Sequence, residues 1–339
     1  MLNPALVEVT RGAVLESLHR GSVAVVDADG RAVLSLGDVS NPVFPRSAVK
    51  IMQALAFVES GAADRFGFGD EELALTCASH GGEPGHVAVA NRMLAAAGLD
   101  QTALECGAHW PSHEPSKLAL AHAGEEPTAL HNNCSGKHAG FVCAACQLGV
   151  DHRGYIDPAH PIQRAVKAAF EDVCGAALSD DVRATDGCSV PTWAMPLGTL
   201  AYAFARIGTG AGLGSKRVRA LRRLRAACAA KPWFVAGTGR FCTEVMAHFG
   251  ERVFVKTGAE GVFCGALPAQ GIGIAIKCDD GGKRAAETAM ATMIARFLPL
   301  DSKDEAALAP WLCPELRNWN GIRVGGIRPT KELLNGAAR

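Results

Sequence analysis

Two hydrophobic periodicities are segregated along this 339-residue chain, and that segregation restricts its folds more than any single motif does. Apolar runs of strand type lie near both ends. Val23, Val25 and Val26 precede Asp27-Ala28-Asp29-Gly30 and a second run at 32–36, the pattern of a hairpin over 22–36. Residues 252–256, 261–266 and 271–277 also read as strands, and 322–327 as a returning edge strand. Between them the apolar residues recur at helical spacing. A helix is expected from about Ser47, carrying Val49, Met52, Leu55 and Phe57 on one face, and others over 70–76, 86–97, 136–148, 161–173, 197–207 and 215–229. A last helix is expected over 283–297. Strands at both ends with helices between them predict an α+β fold, a mainly antiparallel sheet built from the two chain ends with a large helical insertion, and not alternating βαβ units. One unit over 1–330 is expected, its sheet from about 7–45 and 250–327, its helices from about 46–249, and 331–339 as a flexible tail.

Composition removes several classes of function. The 34 Lys+Arg balance the 34 Asp+Glu, and the pI lies near 7.1, so no surplus positive charge is available for a phosphate backbone or an anionic membrane. Neither nucleic acid nor membrane is expected as a partner. No run approaches the roughly 20 apolar residues of a membrane span. The first twenty residues contain Glu8, Arg11, Glu16 and Arg20 and have no signal-peptide core, so the expected location is the cytoplasm, with the twelve Cys reduced.

The chemistry-bearing motifs centre on lysine. Only eleven of the 34 basic residues are Lys, and three of these sit in compact Ser-, Gly- or Thr-containing motifs: Lys50, Lys137 and Lys256. An ammonium titrates when buried, whereas a guanidinium does not. In Arg46-Ser47-Ala48-Val49-Lys50, spacing of i and i+3 sets hydroxyl and amine on one face of a first helical turn. A neutral amine beside a serine activates the hydroxyl for attack on a carbonyl. Ser79 lies in a loop after the predicted helix 70–76, and Lys256-Thr257-Gly258 closes a predicted strand. S-x-x-K, a second serine loop and K-T-G follow one another in the chain order of serine β-lactamases. Taken singly, each motif is also an ordinary cap or strand end. Cys134 and Cys188, on two polar turns, form a possible thiolate pair for one Zn²⁺, with Lys137, His138 or water completing four ligands. Cys143-x-x-Cys146 falls within an apolar helix and reads as core packing, and His109 and His113 as structural or exposed.

Together, Arg46-Ser47-x-x-Lys50, Cys77-Ala78-Ser79-His80, Asn133-Cys134-Ser135-Gly136-Lys137-His138, Thr185-Asp186-Gly187-Cys188, Gly239-Arg240 and Lys256-x-Gly258-Ala259-Glu260-Gly261 closely resemble the Rhizobium-type, or class 3, L-asparaginases, from about residue 7 to 327. The Asn-Cys-Ser-Gly-Lys-His and Asp-Gly-Cys blocks carry the specificity of that likeness. The resemblance implies a serine β-lactamase/glutaminase-like fold, a homodimer, and hydrolysis of L-asparagine to aspartate and ammonia. It pairs Ser47 with Lys50 and Ser79 with Lys256, and it assigns zinc to Cys134, Lys137 and Cys188 with a water. Arg46, His138 and Asp186 are the expected substrate-binding residues. Ile51, and Phe141-Val142, depart from the family pattern beside the motifs and bear on substrate fit.

The expected reaction is acyl transfer through Ser47, with Lys50 as base and Ser79–Lys256 as a second relay. Two nearby ammonium groups repel, which favours the neutral form of one of them. Three rivals remain: a glutaminase, a serine β-lactamase or esterase, and a module in which zinc is purely structural.

Overall fold

The computed structural model describes residues 2–336. These divide into two compact units, one comprising the residues up to Ala48, Ala194–Gly212 and those from Arg252 onward, the other Val49–Trp193 and Leu213–Glu251.

The first unit is built on an antiparallel sheet in the strand order Glu315–Arg317, Arg323–Pro329, Ala5–Arg11, Val14–Asp27, Ile272–Cys278, Val262–Leu267, Phe254–Thr257, with Ala32–Leu36 also paired to Val14–Asp27. Both chain ends contribute, as the periodicities predict. Val9 lies opposite Ile327, and Val23 opposite Ile276. Strand Val262–Leu267 is buried at every position because both of its faces are covered. A Cβ on Gly265 would meet the Met290 side chain of helix Lys283–Phe297, whereas Ala266, its neighbour in sequence, lies against Gly208 of helix Leu197–Thr209. Successive strand residues face opposite ways, so the two helices lie on opposite faces of the sheet. Gly273 marks the tightest of these contacts. A methyl there would lie 2.0 Å from the Ala201 carbonyl oxygen, so the helix backbone rests directly on the sheet.

The second unit is helical apart from the two-stranded ribbon Arg183–Thr185 with Pro191–Trp193. Helix Ser135–Leu148 is its axis, buried from Ser135 through Ala145, and it packs on Pro84–Ala96, Lys50–Glu59 and Asp70–Thr76. A helix apolar on all sides belongs in a core, which agrees with the core-packing reading of Cys143.

Four expectations change. Strand Arg323–Pro329 is not the edge, which Glu315–Arg317 occupies instead. Residues 46–49 form a 3-10 turn, and the α-helix starts at Lys50 and not at about Ser47, Arg46 having a left-handed φ of +51° that an α-helix excludes. Residues 194–212 belong with the sheet and not with the helical part, since Leu197–Thr209 buries its apolar stripe on strands Ile272–Cys278 and Val14–Asp27. Of the expected tail, Lys331–Asn335 is a helix capped by Thr330, whose hydroxyl accepts from the Leu333 amide at 3.3 Å, with Leu333 buried. Residues 337–339 lie outside the described residues.

Candidate active site

In the helical unit the site grows from the end of helix Asp70–Thr76 and the start of helix Ser135–Leu148. Gly136 lets these two elements touch: a methyl on it would lie 2.5 Å from the Leu75 carbonyl oxygen. The chain leaving the first helix presents Ser79, whose amide donates to the Val235 carbonyl at 2.9 Å. Lys50 is buried, and its amine donates to the Ala78 carbonyl, to Ser79 Oγ at 3.0 Å and to the Asn133 carbonyl at 3.4 Å. Three acceptors satisfy an ammonium. A neutral amine would keep its two N–H bonds on the carbonyls and turn its lone pair to the Ser79 hydroxyl. The lysine that the resemblance pairs with Ser47 thus lies against the other serine.

Backbone groups around this amine are fixed by histidines. The Asn133 amide donates to His109 Nε2 at 2.9 Å, so the histidine read as structural braces a carbonyl that holds Lys50. His80 receives the Gly82 amide on Nδ1 at 3.1 Å and faces Ser135 Oγ with Nε2 at 2.9 Å. Its ring stacks on His86, which stacks in turn on Trp233 with ring centres 4.0 Å apart. Burial pushes the His80 imidazole well below its ordinary pKa, and the nearby basic groups of His86 and Lys50 lower it further. Sequence reasoning also missed Glu83, a buried carboxylate that accepts the Thr238 amide at 2.9 Å and its hydroxyl at 2.6 Å, tying the loop at 79–83 to that at 237–240. Gly237 carries a φ of +99°, and a methyl there would lie 2.4 Å from Glu83 Oε1, so only glycine suits this junction.

Cys134, Lys137 and Cys188 do come together. Lys137 Nζ lies 3.0 Å from Cys188 Sγ, the two thiols are hydrogen-bonded to one another, and all three residues are buried. The hydrogen bond from Cys188 holds Cys134 well below the usual thiol range, aided by the Lys50 and Lys137 charges, while the same bond and burial push Cys188 up. Burial alone would lower Lys137, but the thiolate charge outweighs it and raises the amine's pKa. Two soft sulfurs and an amine, buried within bonding reach, suit a tetrahedral Zn²⁺ whose binding would expel their protons. Among the described residues no group of three or more His, Cys, Asp or Glu is disposed to hold a metal.

Asp186 borders this set, with its carboxylate 3.8 Å from Cys188 Sγ. Its turn closes through Ser189, held at a φ of +74°. His138 is completely buried one residue beyond Lys137, its Nδ1 2.6 Å from the Tyr155 hydroxyl and its Nε2 without a hydrogen-bond partner. Burial pushes its pKa well down, as do the Lys137 and Lys50 charges.

In the sheet unit, Ser47 lies in the 3-10 turn Arg46–Val49, and buried Lys256 lies on strand Phe254–Thr257. Lys256 Nζ donates to the Thr257 carbonyl at 3.0 Å. Gly258 brings the two segments together, since a Cβ on it would meet the Pro45 carbonyl at 2.7 Å. Arg46, together with Phe44, Glu260 and Lys277, lines a hollow of about 360 Å³.

Comparison with known proteins identifies one family. The family model for L-asparaginase II covers residues 7–329. Among solved structures the chain is similar to Mglu, with 16% identity, 84% of this chain and 69% of that one covered, and a TM-score of 0.38. It is also similar to a β-lactamase from Mycobacterium bovis, with 13% identity, 86% of this chain and 94% of that one covered, and a TM-score of 0.36. A comparison with curated proteins gives no match. The family model runs from strand Ala5–Arg11 to strand Arg323–Pro329 and so takes in every motif described above; the chain belongs to the L-asparaginase II family and is an amidohydrolase, an L-asparaginase.

Proposed function

We infer that this L-asparaginase works through a Ser–Lys acyl-enzyme. Ser47 Oγ attacks the side-chain amide carbon of L-asparagine, and its proton passes to the neutral amine of Lys50. The tetrahedral intermediate collapses when the C–N bond breaks, a proton reaches the leaving nitrogen, and ammonia departs. Ser79 and Lys256 form the second relay, which takes the proton that Lys50 received from Ser47 and delivers it to this nitrogen, leaving Lys50 neutral again. Water then attacks the β-aspartyl ester, its proton returns through the lysine to Ser47, and aspartate is released. The observation that supports a Ser–Lys reading is the buried Lys50 amine, anchored on the Ala78 and Asn133 carbonyls with the Ser79 hydroxyl at 3.0 Å; Ser47 as nucleophile rests on the S-x-x-K motif and the family resemblance. Arg46 suits the substrate carboxylate, Asp186 its ammonium, and His138 a polar group of the substrate.

Zinc belongs to the same reading. Cys134, Lys137 and Cys188 with one water would hold it, and the bound ion would supply a fixed positive charge that orders the loops and substrate. Asp186, the carboxylate that borders these donors, is assigned to the substrate ammonium, so the ion takes an ordering role and not one of hydroxide generation. A homodimer in the cytoplasm completes the proposal. A glutaminase differs only by one methylene in the pocket, worth about 1–3 kcal/mol.

The deciding experiment measures ammonia release from asparagine and glutamine side by side, for the parent and for Ser47→Ala, with and without a chelator. Asparagine turnover that is lost in a folded Ser47→Ala variant is expected. Near-normal turnover by that variant would overturn the nucleophile, and faster opening of a lactam or simple ester would favour the β-lactamase or esterase rival. A folded, zinc-dependent protein that turns over no amide would instead favour the structural zinc module.

A further inference from the structure

Tyr155 belongs to none of the motifs, yet it is fully buried and linked to His138. Its hydroxyl accepts the Glu105 amide N–H at 2.8 Å and lies 2.6 Å from His138 Nδ1. Its backbone carbonyl accepts from Gln163 Nε2 at 2.8 Å, which fixes the residue from the other side. The Glu105 amide can only donate, so one question remains: which partner supplies the proton between the phenol and the imidazole.

Counting unmet groups answers it. If Nδ1 carried the hydrogen, the phenolic O–H would have no acceptor and Nε2 would be a bare, unpaired nitrogen, leaving two buried polar groups unmet. If the phenol donates to Nδ1, a single unmet group remains, an N–H on Nε2. We propose that Tyr155 is a positioning residue: its hydroxyl locks His138 in the Nε2–H form, and this imidazole presents one N–H donor to an oxygen of the bound amino-acid substrate. The inference rests on the reading that His138 faces the substrate. It adds to that reading the tautomer, the polarity of the contact and the residue that sets both. A merely structural tyrosine would not require Nε2 to be left without a partner in a completely buried side chain.

The test has a spectroscopic arm and a kinetic arm. Ring ¹⁵N shifts of labelled histidine in the parent protein should show His138 with a bare Nδ1 and a protonated Nε2, and in Tyr155→Phe this preference should be lost. A parent His138 protonated on Nδ1 overturns the proposal without any variant. Tyr155→Phe keeps the ring and removes only the oxygen; its KM for L-asparagine should rise roughly three- to tenfold, the span of one neutral hydrogen bond, with kcat within about twofold. An unchanged KM overturns the proposal. His138→Gln, whose amide nitrogen reaches the position of Nε2, should keep substrate affinity better than His138→Asn. If both of these variants bind like the parent, the reading that His138 faces substrate has failed. If they differ as expected while Tyr155→Phe is normal, only the role of Tyr155 has failed.

Discussion

Substitution of Gly136 by alanine probes the contact that joins the two halves of the helical site. The new methyl would lie 2.4 Å from Leu75 Cγ and 2.5 Å from the Leu75 carbonyl oxygen, where ordinary contacts begin at 3.4 Å. The side chain can rotate away, but the carbonyl cannot, so the two helix ends must separate by roughly 1 Å. Overpacking of this kind costs about 1–3 kcal/mol, and the main-chain contact places it at the upper end. Alanine in a helix returns about 0.5–1 kcal/mol, which leaves a net loss near 2 kcal/mol. For a domain of this size that lowers Tm by about 4–8 °C. Activity should suffer more. Leu75 lies four residues before Ser79, and Gly136 lies between Cys134 and Lys137, so the same displacement moves a serine loop relative to the turn that carries Cys134 and Lys137. A 1 Å misplacement costs on the order of 100-fold in kcat/KM. Gly140→Ala, one turn later, is the control: its methyl meets only side chains, the nearest Thr76 Cγ2 at 3.0 Å. Thermal unfolding and asparagine kinetics on both variants decide the matter. A Gly136→Ala protein with Tm within 1 °C and kcat/KM within threefold of the parent, by these same magnitudes, would refute the reasoning.

Acid should destabilise the fold through buried histidines. His80 and His138 are held neutral, their pKa values pushed well down by burial and by neighbouring positive charge. Unfolding restores an ordinary value near 6.5, so below that pH the unfolded chain binds more protons, and stability falls by about 1.4 kcal/mol per pH unit for each residue. Above it their contribution is fully present. Denaturant melts between pH 7.5 and 5 should show this slope, and His80→Gln should reduce it by one histidine's share. Metal analysis after dialysis should find one zinc per chain in the parent and none in Cys134→Ser/Cys188→Ser; zinc retained by the double variant would exclude this donor set. Glu83→Ala strands the Thr238 amide and should cost roughly 2–4 kcal/mol in urea melts, a loss that a surface carboxylate would not produce.

The parts of the fold legible in the sequence are those whose side chains report burial. The β-branched runs at 23–26 and 272–276 gave strands because both faces of that region are covered, and helix Lys283–Phe297 showed its period for the same reason. Helix Glu114–His122 was illegible because it has no buried residue and hence no apolar stripe. Ser302–Leu312 contains Pro310, which reads as a breaker, and the helix tolerates it in its last turn. At the site, the residues of the motifs were readable but their partners were not. Lys50 is fixed by the carbonyls of Ala78 and Asn133, and a carbonyl leaves no trace in side-chain identity. Tyr155 and Glu83 each make two side-chain hydrogen bonds from loops or helix caps, where no periodicity points to them.

The pairing of Ala5–Arg11 with Arg323–Pro329 has a consequence for biosynthesis. Strand Ala5–Arg11 leaves the ribosome about three hundred residues before Arg323–Pro329, its partner on one side. Until then Leu6, Val7 and Val9 have only the neighbouring hairpin strand to cover them, although all three end up buried. Val49–Trp193, by contrast, is a continuous stretch that can begin packing while the ribosome is still elongating. Slow translation of residues 252–329 should therefore prolong chaperone dependence of the nascent chain more than slow translation of residues 49–193.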